Sequence, residues 1–295
     1  MSLEEARRLK EMIAGRPQGA SLAERRAGFE AMAARFGTVP DVTVTPFEAG
    51  GVGGLSFAPR DAVSDVHIVH YHGGAFTVGS PRSYREFCGR LAASCRANVH
   101  CPEYPLAPEH PFPEAHDATI ASFRALRTRY GTGSFWVLAG DSAGGNLAVA
   151  ACQALIAQGQ RPPDALYLIS PYLDLTHSGA SIRERADRDV FVRPEGMAAT
   201  ALTYLAGASP EDDRASPLFG SVSGFPPTLI QVGADETLFS DADRLARRLT
   251  DQGSQVDFEE WEGMMHVFPF FGPVLEEARQ ATSRAAAFID RIRTD

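Results

Sequence analysis

Gly140-Asp141-Ser142-Ala143-Gly144 sets a serine between glycines where the apolar run "FWVLAG" stops and a helix-periodic run begins at Ala143. This is G-x-S-x-G at a strand-to-helix junction, the setting in which a serine is presented on a sharp turn as a nucleophile. The turn demands small neighbours, and the helix N-terminus behind it favours negative charge developing nearby. Alone, the pattern would arise in roughly one chain in ten of this length by chance. A second piece gives it weight: "YHGGAFTVGS" (71–80) follows the apolar run "VHIVHY". Glycine-rich loops bring bare amides close to a substrate, so the N–H groups of Gly73 and Gly74, with that of Ala143, are the expected donors to an oxyanion. The chemistry outlined is acyl transfer.

A serine nucleophile needs a base, and the base an orienting acid, in the chain order Ser, Asp/Glu, His for this kind of topology. Only His177 and His266 of the eight histidines follow Ser142. His177 has Asp174 three residues before it, which places both in one local turn. His266 follows "QVDFEEW" in the loop "EGMMHVF", and the preceding strand "PTLIQVG" ends in "ADETLFSD". Asp235 is the first carboxylate beyond that strand and is the expected acid, with Glu236 competing by adjacency and Asp241 as the cap of the next helix. Asp141 and His72 are expected to support the loop by hydrogen bonding. His70 and His72 share a strand face, but no third residue has metal-ligand spacing, so no metal is expected.

The elements that must position these residues alternate. "VHIVHY", "NVHCPEY", "FWVLAG", "ALYLIS", "PTLIQVG" and "QVDFEEW" read as strands, separated by helices over 84–96, 112–130, 143–158 and 241–252, with a last helix over 273–293. That rhythm predicts a mostly parallel sheet covered by helices on both faces. Two short amphipathic helices, broken at "GRPQGAS", precede it, and "DVTVTPFEAGGVGGLSFAP" reads as an antiparallel hairpin. Between Ser170 and about Phe219 the rhythm lapses, which predicts an excursion across the sheet. The expected division is 1–40 (N-terminal cap helices), 41–176 (first part of the core), 177–215 (cap segment) and 216–295 (second part of the core). Phe29, Phe36, Phe76, Tyr84, Tyr172, Phe191, Met197 and Tyr204 are candidate pocket walls.

Composition narrows the partners. The 295 residues are 44% hydrophobic with a net charge of -9 and no basic run, which argues for a folded protein and against nucleic-acid binding. Four cysteines without paired spacing read as free thiols of a reducing compartment. A charged N-terminus and the lack of a long apolar stretch predict cytoplasmic residence without stable membrane association. No cofactor is expected, and the partner is a small molecule.

The motifs "HGGAF" (72–76), "GSPRSYRE" (79–86), "EYPLAPEHPFPEA" (103–115), "GDSAGGNLA" (140–148), "SPYLDLT" (170–176), "SPLF" (216–219), "GADETL" (233–238) and "GMMHVF" (263–268) together resemble the hormone-sensitive-lipase-like family of bacterial serine esterases. The likeness runs from about Asp41 to Arg293 and looks nearest to monoterpene ε-lactone hydrolase-type members. It implies an α/β-hydrolase fold with a small helical cap, Ser142, Asp235 and His266 as nucleophile, acid and base, and hydrolysis of short- to medium-chain esters or lactones. It also implies a homodimer. Ala75 stands where the family usually has a third glycine, Pro105 where it has arginine, and Tyr84 where histidine is common. An amidase or peptidase, which needs stronger protonation of an amine leaving group, and a silent small-molecule receptor, which lacks the base, are the rival readings.

Overall fold

A computed structural model describes residues 2–14, 21–63 and 65–294. Of the break expected at "GRPQGAS" (15–21), residues 15–20 lie outside the described residues and Ser21 is the N-cap of the second helix. Eight strands form one sheet: β1 (Val42–Ala49), β2 (Val52–Pro59), β3 (Val66–Tyr71), β4 (Asn98–Pro102), β5 (Phe135–Asp141), β6 (Ala165–Ile169), β7 (Thr228–Gly233) and β8 (Val256–Trp261). Their spatial order is β1-β2-β4-β3-β5-β6-β7-β8. β2 runs antiparallel to β1 and β4, and every later pairing is parallel. The β1–β2 turn at Gly50-Gly51 has φ of 62° and 79°, the backbone a two-residue hairpin of this hand requires.

Nine α-helices occur among the described residues: α1 (Ser2–Ala14), α2 (Leu22–Ala34), α3 (Arg85–Cys95), α4 (Glu114–Tyr130), α5 (Ala143–Ala157), α6 (Ser181–Glu184), α7 (Pro194–Leu205), α8 (Phe239–Asp251) and α9 (Glu276–Thr294). The central strands are buried on both faces, so strict alternation divides their side chains between two cores. Val137 and Ala139 of β5 join α3, α9 and residues of α1 and α2, whereas Leu138 joins α4, α5, α7 and α8. α5 is buried nearly all round, as expected of a helix in the middle of a packed layer. The excursion after β6 carries α6 and α7 and no strand. No described helix is long and apolar enough to cross a membrane.

Helix starts differ from the sequence expectation by one to three residues. α3 begins at Arg85, α4 at Glu114, α8 at Phe239 and α9 at Glu276. The largest difference, at α9, follows from the turn at Phe271–Leu275, where the Leu275 amide bonds the Phe271 carbonyl at 2.8 Å before the helix begins.

Candidate active site

β5 delivers Ser142 into a backbone with φ 52° and ψ −118°, outside the comfortable regions for a serine. The glycines around it are dictated by close approach. A Cβ on Gly140 would stand 2.3 Å from the Gly144 carbonyl oxygen, and one on Gly144 only 1.9 Å from that of Tyr71. The Ser142 N–H continues the sheet ladder to the Ile169 carbonyl at 2.9 Å, while its own carbonyl accepts the amides of Asn146 and Tyr172. Asn146 Nδ2 then binds the carbonyls of Tyr172 and Ala215, each at 2.8 Å, so the turn is tied to three segments.

Asp141 is buried beside Ser142. Its Oδ1 accepts from His70 Nε2 at 3.1 Å and from the Gly73 amide at 3.0 Å, and its Oδ2 accepts the Tyr84 hydroxyl at 2.7 Å. The Gly73 amide also reaches Tyr84 Oη at 3.0 Å. Burial, with Asp141 alongside, pushes the Tyr84 phenol well up, so it remains a donor. His72 Nδ1 donates to the Gly73 carbonyl at 2.8 Å, and burial pulls its pKa down to about 4, which keeps the ring neutral. The expectation that Gly73 supplies an oxyanion donor is therefore corrected: its N–H is already held inside the protein by Asp141 and Tyr84. The amides of Gly74, Ala75 and Ala143 have no acceptor among the described residues. Ala75 has φ 54°, so the residue in the usual third glycine position takes the left-handed backbone at a cost of about 1–2 kcal/mol.

His266 Nδ1 lies 2.8 Å from Glu236 Oε2. This corrects the assignment of the acid to Asp235. The chain turns immediately after β7, with the Glu236 amide bonding the Gly233 carbonyl at 3.2 Å, so the third residue beyond the strand, not the second, turns its carboxylate back to the Gly233 amide. Glu236 Oε1 accepts the Gly233 amide and the Ser170 hydroxyl, each at 2.6 Å. Asp235 instead faces outward and pairs with Lys10 of α1 at 2.5 Å. The third candidate, Asp241, anchors the amides of Leu173 and Asp174, and burial pushes its carboxyl up to about 7. His177 Nε2 sits on the Tyr172 hydroxyl at 2.5 Å.

For His266, burial alone would lower the pKa, but the hydrogen bond and charge of Glu236, with Asp189 and Asp141 behind it, carry it above the ordinary value of 6.5. Asp189 closes the charged run "RERADRD" (183–189), whose composition reads as a solvated helix face, yet it is buried. It accepts the amides of Phe191 and Val192 and, on its other oxygen, the amide and hydroxyl of Thr237, pinning the excursion to the loop that carries Glu236.

The pocket candidates divide between the two cores. Phe76, Tyr172, Met197 and Tyr204 belong with α5 and α7, where Phe76 stacks on Tyr204 at 3.8 Å between centroids. Phe36, Tyr84 and Phe191 belong with α3 and α9; Phe36 packs on Phe270 at 5.4 Å and Phe191 on Phe271 at 5.6 Å. Tyr84 is 2% exposed with its hydroxyl bonded to Asp141, so it braces the glycine loop from behind rather than forming an open wall. Among the described residues no group of three or more His, Cys, Asp or Glu could hold a metal ion.

A family model for the alpha/beta hydrolase fold matches residues 68–270. The chain is 40% identical to an acetyl-hydrolase of Streptomyces hygroscopicus over 222 residues, covering 75% of this chain and 74% of the relative. It is 36% identical to an esterase of Acinetobacter venetianus over 257 residues, covering 87% and 84% respectively. A crystal structure of an esterase from the bacterial hormone-sensitive lipase family superposes with a TM-score of 0.94 at 34% identity, covering 98% of each chain. With a serine elbow at the carboxyl edge of a mostly parallel sheet, the chain belongs to the hormone-sensitive-lipase-like family of esterases on the α/β-hydrolase fold.

Proposed function

We propose that the protein is a serine carboxylesterase in which Ser142 is the nucleophile, His266 the base and Glu236 the acid, acting on short- to medium-chain esters, lactones included. The observation that carries the reading is the bonded path between the three: Ser142 to Ile169 by the sheet ladder, Ser170 beside it to Glu236 and Val267, and Glu236 to His266. The Glu236 carboxylate accepts the Nδ1 proton of His266, leaving Nε2 as the base. Nε2 removes the Ser142 proton as Oγ attacks the ester carbonyl, and the charged oxygen is met by the amides of Gly74, Ala75 and Ala143. Collapse expels the alcohol, protonated by His266. Water then attacks the acyl-enzyme by the same route and releases the acid.

The stacked rings of Phe76 and Tyr204 and the buried Tyr172 support a closely walled site suited to a short acyl group. Helices α1 and α2, which pack on the loops around Ser142, would serve as part of a cap. Cytoplasmic residence belongs to the same reading and is supported by four cysteines that are all free thiols.

The test is hydrolysis of p-nitrophenyl acetate, butyrate, octanoate and palmitate by the wild type and by Ser142→Ala, with mass-spectrometric mapping of a fluorophosphonate adduct. The expected result is the highest kcat/KM on the short esters, at least a roughly 1,000-fold loss in the variant, and the adduct on Ser142. An adduct elsewhere, or turnover that survives the substitution, defeats the mechanism. A preference for palmitate defeats only the substrate class.

A further inference from the structure

The residue immediately after β6, Ser170, carries a hydroxyl that takes no part in the bond-making steps just described. Ser170 is fully buried and has φ 45°, a left-handed backbone that a side chain normally avoids. Its amide stays in the sheet, donating to the Gln231 carbonyl at 2.8 Å. Its Oγ–H donates to Glu236 Oε1 at 2.6 Å, and the same Oγ accepts the Val267 amide at 3.1 Å. Serine hydroxyls more often satisfy a nearby turn of their own chain. This one reaches 66 residues along the sequence to one loop and 97 to another.

We propose that Ser170 is a positioning residue for ester hydrolysis, fixing Glu236 and the backbone beside His266 in one mutual geometry. The inference rests on the reading of Ser142, His266 and Glu236 given above. A glutamate side chain has three rotatable bonds, so its carboxylate points at an imidazole only if something stops the other orientations. Here the Gly233 amide and the Ser170 hydroxyl both occupy Oε1, which leaves Oε2 for His266 Nδ1. The Val267 amide, one residue beyond the base, is held by the same oxygen. Loss of that Oγ leaves Oε1 with a single donor and a buried amide without an acceptor, so the acid and the base loosen together. Small misplacements of catalytic groups reduce turnover steeply without weakening substrate binding.

Ser170→Ala and Ser170→Gly both remove the hydroxyl, and glycine accepts the positive φ without strain, so it preserves the fold if alanine does not. The measurements are kcat and KM on p-nitrophenyl butyrate per site titrated with fluorophosphonate, and the low-field proton resonance of His266 Nδ1. The expected result in both variants is a fall in kcat of between about 10- and 100-fold with KM within about twofold, and a shifted or lost resonance. Ser170→Cys, which restores a weak donor, is expected to fall in between. Wild-type kcat per titrated site with an unmoved resonance, whatever the change in melting temperature, overturns the proposal. Ser142→Ala separates the two levels: if it retains turnover, the underlying assignment has failed. If it is silent while the Ser170 variants turn over normally, only the role of Ser170 is lost.

Discussion

The elbow beneath Ser142 and the helices that pack on its loops are held by opposite kinds of contact. At the elbow, backbone meets backbone with no room for a methyl group, and its side-chain anchors, Asp141 and Asn146, are buried. α1 and α2 share apolar contacts with α3 and α9, Phe29 stacking on Phe270 at 5.9 Å, but their polar links to the loops of the site are charged side chains near the surface. Arg26 binds the Thr77 carbonyl at 2.8 Å, the Ala107 carbonyl at 3.1 Å and both oxygens of Glu109 at 2.7 Å; Glu30 accepts the Ser80 hydroxyl at 2.6 Å; Lys10 pairs with Asp235. Stabilising an oxyanion requires donors that do not reorganise, whereas a site must also open to admit substrate and release product. Contacts of the first kind do not exchange. Ion pairs near the surface, each worth about 0–1 kcal/mol, break and reform readily.

Asp235 and Glu236 bring this contrast to adjacent positions, one joined to Lys10 of α1 and the other to His266. Glu236→Gln is expected to lower kcat/KM by about 1,000- to 10,000-fold, because the Nδ1–H loses its anionic acceptor. Asp235→Asn is expected to stay within about threefold. The pH profile sharpens the difference. His266 acts as a base only when neutral, and its pKa lies above 6.5, so wild-type kcat/KM should fall as the pH drops through a value above that. Removing the Glu236 charge takes away the main upward influence, and the acid limb should move to lower pH; Asp235→Asn should leave it in place. Stopped-flow profiles of the three proteins decide it. A collapse in Asp235→Asn with activity intact in Glu236→Gln would return the acid role to Asp235.

A methyl group tests the same contrast in the backbone. Gly144→Ala drives a Cβ into the Tyr71 carbonyl. The expected loss is at least about 3 kcal/mol, roughly 6–12 °C in Tm, together with a large drop in activity as the Ala143 amide shifts. Gly28→Ala, on α2 with nothing within 4 Å of the new Cβ, is expected to stabilise by about 0.5–1 kcal/mol. Calorimetry on the two variants should show opposite signs, and equal effects would mean that the elbow relaxes as freely as a surface helix.

The elbow was legible in the sequence for the reason that makes it rigid: tight backbone approach selects glycine, and glycine is visible at Gly140 and Gly144. The parallel sheet was legible because each of its central strands is an apolar run ended by a turn. The acid was not, since Asp235 and Glu236 differ by one residue and the decision lies in the turn after Gly233, which no propensity encodes. Gly73 misled in the same way. Counting glycines after β3 cannot reveal that Asp141, 68 residues on, takes the first amide. Ser170 carried a faint signal as a polar residue closing an apolar strand; its partners lie on two other loops, beyond the reach of any local pattern.

The smallest effects are expected where the helices attach. Lys10 is the only lysine in the sequence, and its ammonium and the Asp235 carboxylate are 18% and 22% exposed, so water weakens the pair without abolishing it. Lys10→Met keeps most of the aliphatic packing and removes the charge. Its Tm should fall by no more than about 2–4 °C, and kcat should hold while amide exchange quickens in α1. Arg26→Gln should cost more, because that guanidinium also holds two carbonyls beside the oxyanion loop, and the loss should appear in kcat as well as in exchange. If Lys10→Met instead lowers kcat tenfold, the ion pair at Asp235 is transmitted to Glu236 one residue away, and α1 belongs to the catalytic framework rather than to its covering.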